Sequence, residues 1–396
     1  MKKKIVILGS TGSIGKSLIK ILKKNKKNFD IELLSANKNY KELLKQAKLF
    51  NVKNIIISDK KTYSYLKRKN KIKNINIFRN FTCFKKILRS KKVDYTMSAI
   101  TGISGLAPTI DIIKYTKTIA IANKEAIICG WNLINTELNK NEVKFIPVDS
   151  EHFSIWYDLR ERLKTSIDNI FITASGGPFL NFSKNKLKKV KINDALKHPN
   201  WKMGKKISID SATMMNKIFE VIEAKKIFNL PYSKIKVLIH PNSYVHSVIN
   251  FNDGMTKIIC HDTTMEIPIQ NSLYYPDNTK YYSQNNTTSE VNNFILKKMN
   301  NLNFSFLERE KFPSVEVLNL LPNENSLFET VIVSANDELV NLFLNKLISF
   351  NDISKNLLKI IKKKEFTKFK KIKPSKINQI LKLHEFVRLK TRSLCI

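Results

Sequence analysis

Three polar side chains in the middle of the chain have the types and the spacing to hold an anionic ligand together with a metal ion. Asn216, Lys217 and Glu220 lie in a run of good helix formers. Residues three and four apart share one face of a helix, so an amide, an ammonium and a carboxylate would point at one spot. Beside a helix N-terminus, this set suits a polyoxygenated, metal-bound anion. The alternative is a surface helix with one ordinary Lys–Glu pair.

The stretch before this helix is predicted to be irregular and then briefly extended. Residues 198–205 contain a proline and a glycine and do not fit a helix. A short β-like run follows over residues 206–209. Asp210 and Ser211 then offer an N-cap for the helix.

Two more carboxylates, Asp149 and Glu151, come directly after the apolar run KFIPV. Carboxylates two residues apart, at the carboxyl end of a strand, suit a hard divalent cation such as Mg²⁺ or Mn²⁺, and Glu220 would supply a third ligand. The alternative is that Asp149 or Ser150 serves only as a helix N-cap. The residue pattern leaves both interpretations open.

The first 149 residues alternate short apolar strands with amphipathic helices, which predicts a doubly wound parallel sheet. The first strand, residues 4–8, runs into GSTGSIG and then a helix, an arrangement that typically cradles phosphate. The second strand ends in Asn37-Lys38-Asn39, with one cation and no carboxylate for a ribose hydroxyl. That favours the 2′-phosphate of NADP, although an ordinary turn would look the same.

Polar side chains follow two other predicted strands. Asn123, Lys124 and Glu125 come directly after the apolar run at residues 118–122, where open α/β sheets bind ligands. Ser175 lies in the Gly-rich turn of FITASGGPF, where its hydroxyl is placed to bond an anion.

The remainder of the chain predicts a second, smaller sheet and a helical end. Residues 235–255 fit two strands, the second amphipathic, and His240 and His246 there are more typical of structural than of catalytic histidines. Residues 275–300 are rich in Asn, Ser and Thr and predict a linker. The helical part that follows has its clearest amphipathic helix over residues 334–350.

The charge of the chain raises the question of a nucleic-acid partner. Lysine and arginine number 70 against 33 acidic residues, a formal net charge of +37. The lysines are spread along the whole chain, however, and no RRM, KH, zinc-finger or basic-arm pattern occurs. A lysine-rich codon bias explains the excess, so we expect no nucleic-acid partner.

The spacing of the cysteines and the lengths of the apolar runs indicate in which cellular compartment the protein is expected. The four cysteines form no CxxC, which favours free thiols in a reducing compartment. The basic start MKKK resembles a signal peptide, but GSTGSIG interrupts the apolar run after four residues. No stretch of 18 apolar residues occurs, so a soluble protein without a transit peptide or membrane contact is expected.

Six motifs in order, GSTGSIG, ANKE, PVDSEH, TASGGPF, HPNWKMG and DSATMMNK, make the chain resemble the 1-deoxy-D-xylulose 5-phosphate reductoisomerases. These are NADPH-dependent enzymes of the non-mevalonate isoprenoid pathway. The resemblance covers nearly the full length, including HPNSYVHSVINFNDG and SANDELV. It implies an α/β protein with a Rossmann-like NADPH-binding domain, a central α+β catalytic domain and a C-terminal helical domain. The predicted bounds are 1–149, 150–274 with a mobile flap near 198–205, a linker at 275–300, and 301–396.

The resemblance also assigns site residues. NADPH would contact Thr11, Gly12, Ser13, Ile14, Asn37, Lys38, Asn39, Asn123, Glu125 and Gly204. The sugar phosphate would contact Lys124, Ser150, Glu151, Ser175, His198, Trp201, Met203, Ser211, Asn216, Lys217 and Glu220. Mg²⁺ or Mn²⁺ would be bound by Asp149, Glu151 and Glu220. The catalytic residues would be Lys124, Glu151 and His198.

The implied reaction rearranges and reduces 1-deoxy-D-xylulose 5-phosphate to 2-C-methyl-D-erythritol 4-phosphate. A homodimer in the bacterial cytoplasm is implied, or in the plastid stroma for a processed eukaryotic protein. A plain NADP-dependent dehydrogenase is the enzyme alternative; it would not need three carboxylates and would survive chelation. Some positions depart from the family: Glu266 stands where Arg is usual, residues 261–263 replace a Gly-x-Pro, and Asn37 stands where Gly is common. We expect the changes at 261–263 and Glu266 to affect local packing or the dimer contact more than the chemistry, and Asn37 to weaken cofactor affinity.

Overall fold

The structure is a computed structural model that describes residues 2–68, 74–89, 92–159, 166–201, 203–276 and 295–396. The chain divides into two compact units. The first comprises Met1–Asp149 and Met265–Tyr274, and the second Ser150–Thr264 and Tyr275–Ile396. Most of the linker predicted over residues 275–300 lies outside the described residues. The four-part division expected from the sequence stays a prediction.

The first unit is built on a parallel sheet of seven strands in the order β4-β3-β2-β1-β5-β6-β7. The strands are β1 Lys3–Leu8, β2 Phe29–Ala36, β3 Asn54–Ile57, β4 Asn76–Phe78, β5 Val93–Ser98, β6 Thr116–Ile121 and β7 Lys144–Pro147. The apolar residues of β1 from Ile5 to Leu8 are fully buried because β1 is an interior strand. The strand order reverses between β1 and β5, and ligands of such sheets bind outside the carboxyl ends at that point. The predicted doubly wound sheet is confirmed.

Helices cover this sheet, and one of them returns from late in the chain. They are α1 Ser13–Lys24, α2 Tyr40–Phe50, α3 Lys60–Arg68, α4 Phe84–Ile87, α5 Leu106–Ile113, α6 Lys124–Lys140 and, numbered in chain order, α12 Glu266–Tyr274. The returning helix contains one departure from the family pattern: Glu266 Oε1 lies 2.5 Å from Lys20 Nζ of α1. Ser272 Oγ lies 2.8 Å from the buried Tyr95 hydroxyl. The altered residue therefore has an ion-pair partner within its own unit.

The second unit contains a mixed sheet in the order β11-β10-β8-β9-β12. Its strands are β8 Ile167–Ala174, β9 Ile235–Ile239, β10 Val245–Phe251, β11 Thr256–Cys260 and β12 Ser305–Phe306. Among the described residues of this unit, only β8 and β9 pair in parallel. The expectation of an amphipathic second strand over residues 235–255 is wrong. Strand β10 lies between two neighbours and is buried at all but one position, so it has no solvent face.

Helices make up the rest of the second unit. They are α7 Ser150–Asp158, α8 Lys184–Leu187, α9 Ile192–Ala195, α10 Lys205–Ala212, α11 Met215–Phe228, α13 Phe328–Leu344, α14 Phe350–Ile361, α15 Lys364–Thr367 and α16 Ile377–Cys395. The helix predicted over 334–350 is misplaced: α13 begins six residues earlier, and its last turn ends before Lys346, which has a φ of 63°. Ser349 and Asp352 then form the capping box of α14. Within the described ranges, no helix is both long and apolar enough to cross a membrane.

Two local expectations around residues 206–216 are corrected. The β-like run at 206–209 lies inside α10, where the Ser208 hydroxyl bonds back to the carbonyl of Gly204 at 3.1 Å. Alternating isoleucines imitate a strand, but pairing in a sheet requires a neighbouring edge, and here the segment forms a helix instead. Ser211 therefore lies in the last turn of α10 and does not cap the next helix. That helix, α11, starts after Met214, whose φ of 63° makes the corner between the two.

Candidate active site

The turn after β1 fits a phosphate cradle. Gly9 has a φ of 82°, and a Cβ there would lie 2.6 Å from the carbonyl oxygen of Ala99. A Cβ on Gly15 would lie 2.5 Å from the carbonyl oxygen of Gly9. Both positions therefore require glycine. Gly12 precedes α1 without a side-chain cap, which leaves the first amides of a 12-residue helix for an anion. Thr11, Ser13 and Ile14, the other predicted contacts, lie at the same turn.

The end of β2 carries an exposed cation. Lys38 is exposed and lies between Asn37, which donates to the Ser58 hydroxyl at 3.3 Å, and Asn39. The Asn39 side chain caps α2 by accepting from the Glu42 amide at 3.3 Å. A cation beside a helix N-terminus suits a phosphate group. The side-chain oxygen of Asn39 has a structural use that the sequence did not indicate.

The residues after β6 include a structural cap, Asn123, and a charged pair, Lys124 with Asp149. Asn123 is buried; its side chain caps α6 through the Ala126 amide at 2.9 Å and donates to the carbonyl of Gly102 at 2.9 Å. Asn123 therefore ties two loops at the carboxyl edge of the sheet. Lys124 Nζ lies 3.1 Å from Asp149 Oδ2, at the ends of the neighbouring strands β6 and β7. Glu125 follows in the first turn of α6 and is partly exposed.

In the second unit, two carboxylates share one ammonium group. Lys217 Nζ lies 3.0 Å from Glu151 Oε1 and also contacts Glu220 Oε2. The Asn216 amide donates to the other oxygen of Glu220, which is only 1% exposed. Asn216, Lys217 and Glu220 thus point at one spot, as the helical spacing predicts. Two carboxylates thus converge on one ammonium group in a mostly buried place, and carboxylate oxygens grouped in this way suit a divalent cation.

Asp149 precedes Glu151 by two residues in the chain. It ends the first unit, and a single residue, Ser150, separates it from Glu151. Because consecutive Cα atoms are about 3.8 Å apart, the two acidic Cα atoms lie within about 7.6 Å in any arrangement of the units. The Ser150 hydroxyl donates to Glu151 Oε2 at 2.6 Å. Carboxylate oxygens are the ligands that Mg²⁺ and Mn²⁺ prefer.

A buried histidine supports this site, and the sequence analysis assigned it no role. His152 is fully buried, its Nε2 lies 2.9 Å from the carbonyl oxygen of Glu220, and its Nδ1 lies 3.5 Å from Glu223. It therefore joins the start of α7 to α11 next to two of the three carboxylates. Its position within PVDSEH, beside Glu151, was the available signal. Glu223 stands one helical turn from Glu220.

His198 is held in one tautomer. Its Nδ1 accepts from the backbone amides of Asn200 and Trp201, at 3.2 and 3.0 Å, so Nδ1 carries no proton. Nε2 then carries the proton and donates to the Ser175 hydroxyl at 3.1 Å. Ser175 Oγ also accepts from the Gly177 amide at 3.1 Å. With both lone pairs engaged, the Ser175 proton is free to donate to an anion.

Burial, and then the positive charge of Lys217, lower the pKa of His198 to about 4. We therefore expect His198 to stay neutral at pH 6, with its nitrogen-15 signals those of an Nε2–H imidazole. The native pKa is depressed below the unfolded value, so the unfolded chain binds the extra proton first. Stability is then lost as the pH falls from about 6.5 to about 4. His198→Gln should flatten this slope of the unfolding free energy; an unchanged slope would contradict the assignment.

The remaining predicted side chains lie along the same unit. Ser211 lies in the last turn of α10, and its carbonyl oxygen would lie 2.9 Å from a Cβ on Gly177, so the Ser175 turn packs against it. Trp201 is partly buried, edge-on to the His246 ring at 6.3 Å between centroids. Met203 is also partly buried, and Gly204 is exposed at the start of α10. The structure thus brings Ser175, His198 and Ser211 together, while Gly204 offers only backbone.

His240 and His246 have structural contacts, as their pattern predicts. His240 Nδ1 lies 2.9 Å from the carbonyl oxygen of Asn303, and its ring stacks on Phe304. His246 stacks on His261 with ring centroids 3.7 Å apart. His261 belongs to the stretch that replaces the usual Gly-x-Pro, so this departure packs against a buried histidine.

Comparison with known proteins agrees along the whole chain. Family models match as 1-deoxy-D-xylulose 5-phosphate reductoisomerase at residues 5–130, its C-terminal domain at 145–228, and DXP reductoisomerase C-terminal domain at 262–390. A 1-deoxy-D-xylulose 5-phosphate reductoisomerase of Pelagibacter ubique is 55% identical over 395 residues, 100% of both chains. One from Wolbachia sp. subsp. Drosophila simulans is 40% identical over 89% of this chain and 88% of its own.

Solved structures give the same result. The 1-deoxy-D-xylulose 5-phosphate reductoisomerase of Zymomonas mobilis in complex with NADPH has a TM-score of 0.85 at 29% identity, covering 100% of this chain and 99% of its own. A DOX-P reductoisomerase in complex with NADPH, fosmidomycin and magnesium has a TM-score of 0.88 at 28% identity, covering 99% and 98%. The likeness therefore includes both units.

Proposed function

The chain belongs to the 1-deoxy-D-xylulose 5-phosphate reductoisomerase family, and from that premise we propose which of its residues carry the family's reaction. The enzyme is an NADPH- and divalent-metal-dependent oxidoreductase that converts 1-deoxy-D-xylulose 5-phosphate to 2-C-methyl-D-erythritol 4-phosphate. The observation that carries the residue assignment is the pair of carboxylates, Glu151 and Glu220, around Lys217 Nζ.

We propose that Asp149, Glu151 and Glu220 hold the metal, which is magnesium in solved relatives. The fit rests on the donors, which are hard carboxylate oxygen atoms, two of them grouped around Lys217. When bound, the ion acts as a Lewis acid toward oxygens of the substrate. His152 and Asn216 hold Glu220 in place, through its carbonyl and its carboxylate respectively.

Ser175, Ser211, Asn216 and Lys217 are proposed to bind the substrate phosphate. They supply two hydroxyls, an amide and an ammonium, which are donors that suit phosphate oxygens. The hydrogen bonds that His198 and Gly177 donate to Ser175 leave its proton for the anion. Holding the phosphate orients the reacting carbons, because binding energy remote from the bond changes is used for positioning.

The other catalytic assignments concern charge and water. Lys124 is held by Asp149 and is proposed to donate a hydrogen bond to a substrate oxygen on which negative charge develops. Glu151 is proposed to orient a substrate hydroxyl as well as the metal. His198, Trp201 and Met203 belong to a segment proposed to close over the substrate and exclude water.

NADPH is proposed to lie along the carboxyl edge of the seven-stranded sheet. The amides of residues 11–14 would bind the pyrophosphate, and Lys38, with its neighbours Asn37 and Asn39, the 2′-phosphate. Asn123, Glu125 and Gly204 are the other proposed contacts. When bound there, NADPH would provide the hydride for the reduction.

We also propose that the enzyme is a homodimer in the bacterial cytoplasm. Its bacterial relatives and the cofactor it uses support that compartment. An edge strand supports dimerisation: β11 ends its sheet, and Met255, just before it, and Ile258, within it, are 58% and 46% exposed. A fosmidomycin-bound relative supports a sugar-phosphate-like ligand, and no nucleic-acid partner is proposed.

The test of this function is turnover with and without metal. Purified enzyme, NADPH and 1-deoxy-D-xylulose 5-phosphate should lose NADPH absorbance only when Mg²⁺ or Mn²⁺ is present. EDTA should abolish the rate and added Mg²⁺ should restore it, because uncompensated charge would otherwise develop on the substrate oxygens. A rate indifferent to EDTA would instead support a plain dehydrogenase and remove the metal assignment.

A further inference from the structure

The proposed phosphate subsite is built on an unusual corner of the backbone. Between Ser211, at the end of α10, and Asn216 and Lys217, at the start of α11, the chain turns through Met214. Met214 has a φ of 63° and a ψ of 4°, a conformation that side chains with a Cβ disfavour. Surrounding contacts must therefore keep the corner in place.

One such contact comes from the C-terminal helix α13. Asn336 is fully buried, and its amide donates to Oδ1 of Asp210 at 2.7 Å across 126 residues of sequence. Asp210 is itself 2% exposed and immediately precedes Ser211. Its Oδ2 accepts from Lys206 Nζ at 2.8 Å, and Lys206 also pairs with Asp337 at 3.1 Å. Neighbouring residues of α13 thus engage both members of the pair in α10.

A second contact reaches the other side of the corner. The fully buried Ser314 hydroxyl donates to the carbonyl oxygen of Thr213, the residue before Met214. Thr213 is the C-cap residue of α10, and carbonyl groups at the end of a helix have no partner within the helix. Two side chains from residues beyond 300 therefore hold the corner at points three residues apart.

Simple core stability does not require polar groups at these places. A buried carboxylate is costly to desolvate, and apolar residues of similar volume would pack as well or better. Directional bonds to Asp210 and Thr213, in contrast, set the position of the backbone between them. Ser211 lies between these two residues, and the first turn of α11 beyond them bears Asn216 and Lys217.

We infer that Asn336 and Ser314 are positioning residues for the substrate phosphate, acting through the Asp210–Met214 corner. This inference rests on the proposed function, because it assumes that Ser211, Asn216 and Lys217 bind that phosphate. The C-terminal helical region then contributes to substrate affinity without touching the substrate. Lys206 completes the arrangement, because its ammonium group binds the second oxygen of Asp210 and also pairs with Asp337 of α13.

The test compares Asn336→Leu and Ser314→Ala with the wild-type enzyme. Inorganic phosphate is used as a competitive inhibitor that reports on the subsite alone. We expect KM for 1-deoxy-D-xylulose 5-phosphate and Ki for phosphate to rise together, about tenfold for Asn336→Leu and about threefold for Ser314→Ala. The KM for NADPH should stay unchanged, since neither substitution removes a contact of the residues proposed to bind the cofactor. The effect of Asn336→Leu is the larger one because that variant loses a hydrogen bond to a charged acceptor, the Asp210 carboxylate.

Ser334→Ala is the matched control. Ser334 is buried in α13, the helix that contains Asn336. Its hydroxyl lies 2.8 Å from His384 Nδ1, in contact with a different part of the chain from the Asp210–Met214 corner. Ser334→Ala should lower the melting temperature while leaving KM for the substrate and Ki for phosphate at wild-type values. If the two test variants behave like this control, the inference is overturned and the proposed function stands. If Asn336→Leu does not fold, the Ser314→Ala result decides alone. A wild-type enzyme that does not reduce the substrate overturns both.

Discussion

Replacing Glu220 by glutamine should lower kcat/KM for 1-deoxy-D-xylulose 5-phosphate by about a thousandfold. The substitution keeps the shape of the side chain but removes the charge of a residue that is 1% exposed and receives hydrogen bonds from Asn216 and Lys217. A metal at this place stabilises developing charge by several kcal/mol, and each 1.36 kcal/mol is a factor of about ten in rate. Steady-state assays over a range of Mg²⁺ concentrations would measure the loss, and the apparent Kd for Mg²⁺ should rise with it.

Glu329→Gln is the control for burial and charge. Glu329 is also 1% exposed and also pairs with a lysine of α11, Lys226, at 2.9 Å. It accepts from the Ser326 amide at 3.1 Å, so the substitution removes charge from an equally buried, equally bonded site. We expect a lower melting temperature with kcat/KM within about threefold of wild type. Equal loss of activity in both variants would show that Glu220 acts through stability and not through the metal.

Replacing Lys217 by methionine should have two separable effects. Without metal, Glu151 and Glu220 lose the ammonium group between them, and breaking a buried pair in this way costs about 3–5 kcal/mol. The metal-free variant should therefore melt at a much lower temperature. Saturating Mg²⁺ should recover most of that loss, because the ion supplies positive charge to the same two carboxylates. Calorimetry with and without Mg²⁺ would measure both.

The second effect of Lys217→Met is on catalysis. Losing one charge-assisted bond to the phosphate costs about 1.5–3 kcal/mol, so kcat/KM should fall about tenfold to a hundredfold even at saturating Mg²⁺. Lys226→Met, in the same helix, removes an equally buried lysine whose partners are Glu329 and Asn325. Lys226→Met should lower the melting temperature, and Mg²⁺ should not restore it. Its kcat/KM should stay near the wild-type value. A Lys217→Met enzyme that Mg²⁺ fails to stabilise would contradict the carboxylate site.

Local patterns were sufficient for much of the fold. The apolar run of β1 and the glycines after it act within about ten residues, and they predicted the strand, the turn and the helix correctly. The common face of Asn216, Lys217 and Glu220 follows from helical periodicity alone. In contrast, the isoleucines of residues 206–209 satisfied a strand pattern and a helix equally, and the sequence interpretation chose the strand.

By itself, the sequence determined the family, the doubly wound sheet and which residue types approach one another on α11. Only the tertiary structure decided which distant groups meet: His198 with Ser175, Glu151 with Lys217, and Asn336 with Asp210. The physical reason is that periodicity and turn chemistry are properties of neighbouring residues. A hydrogen bond between residues 126 positions apart depends instead on how whole helices pack, which no local pattern encodes.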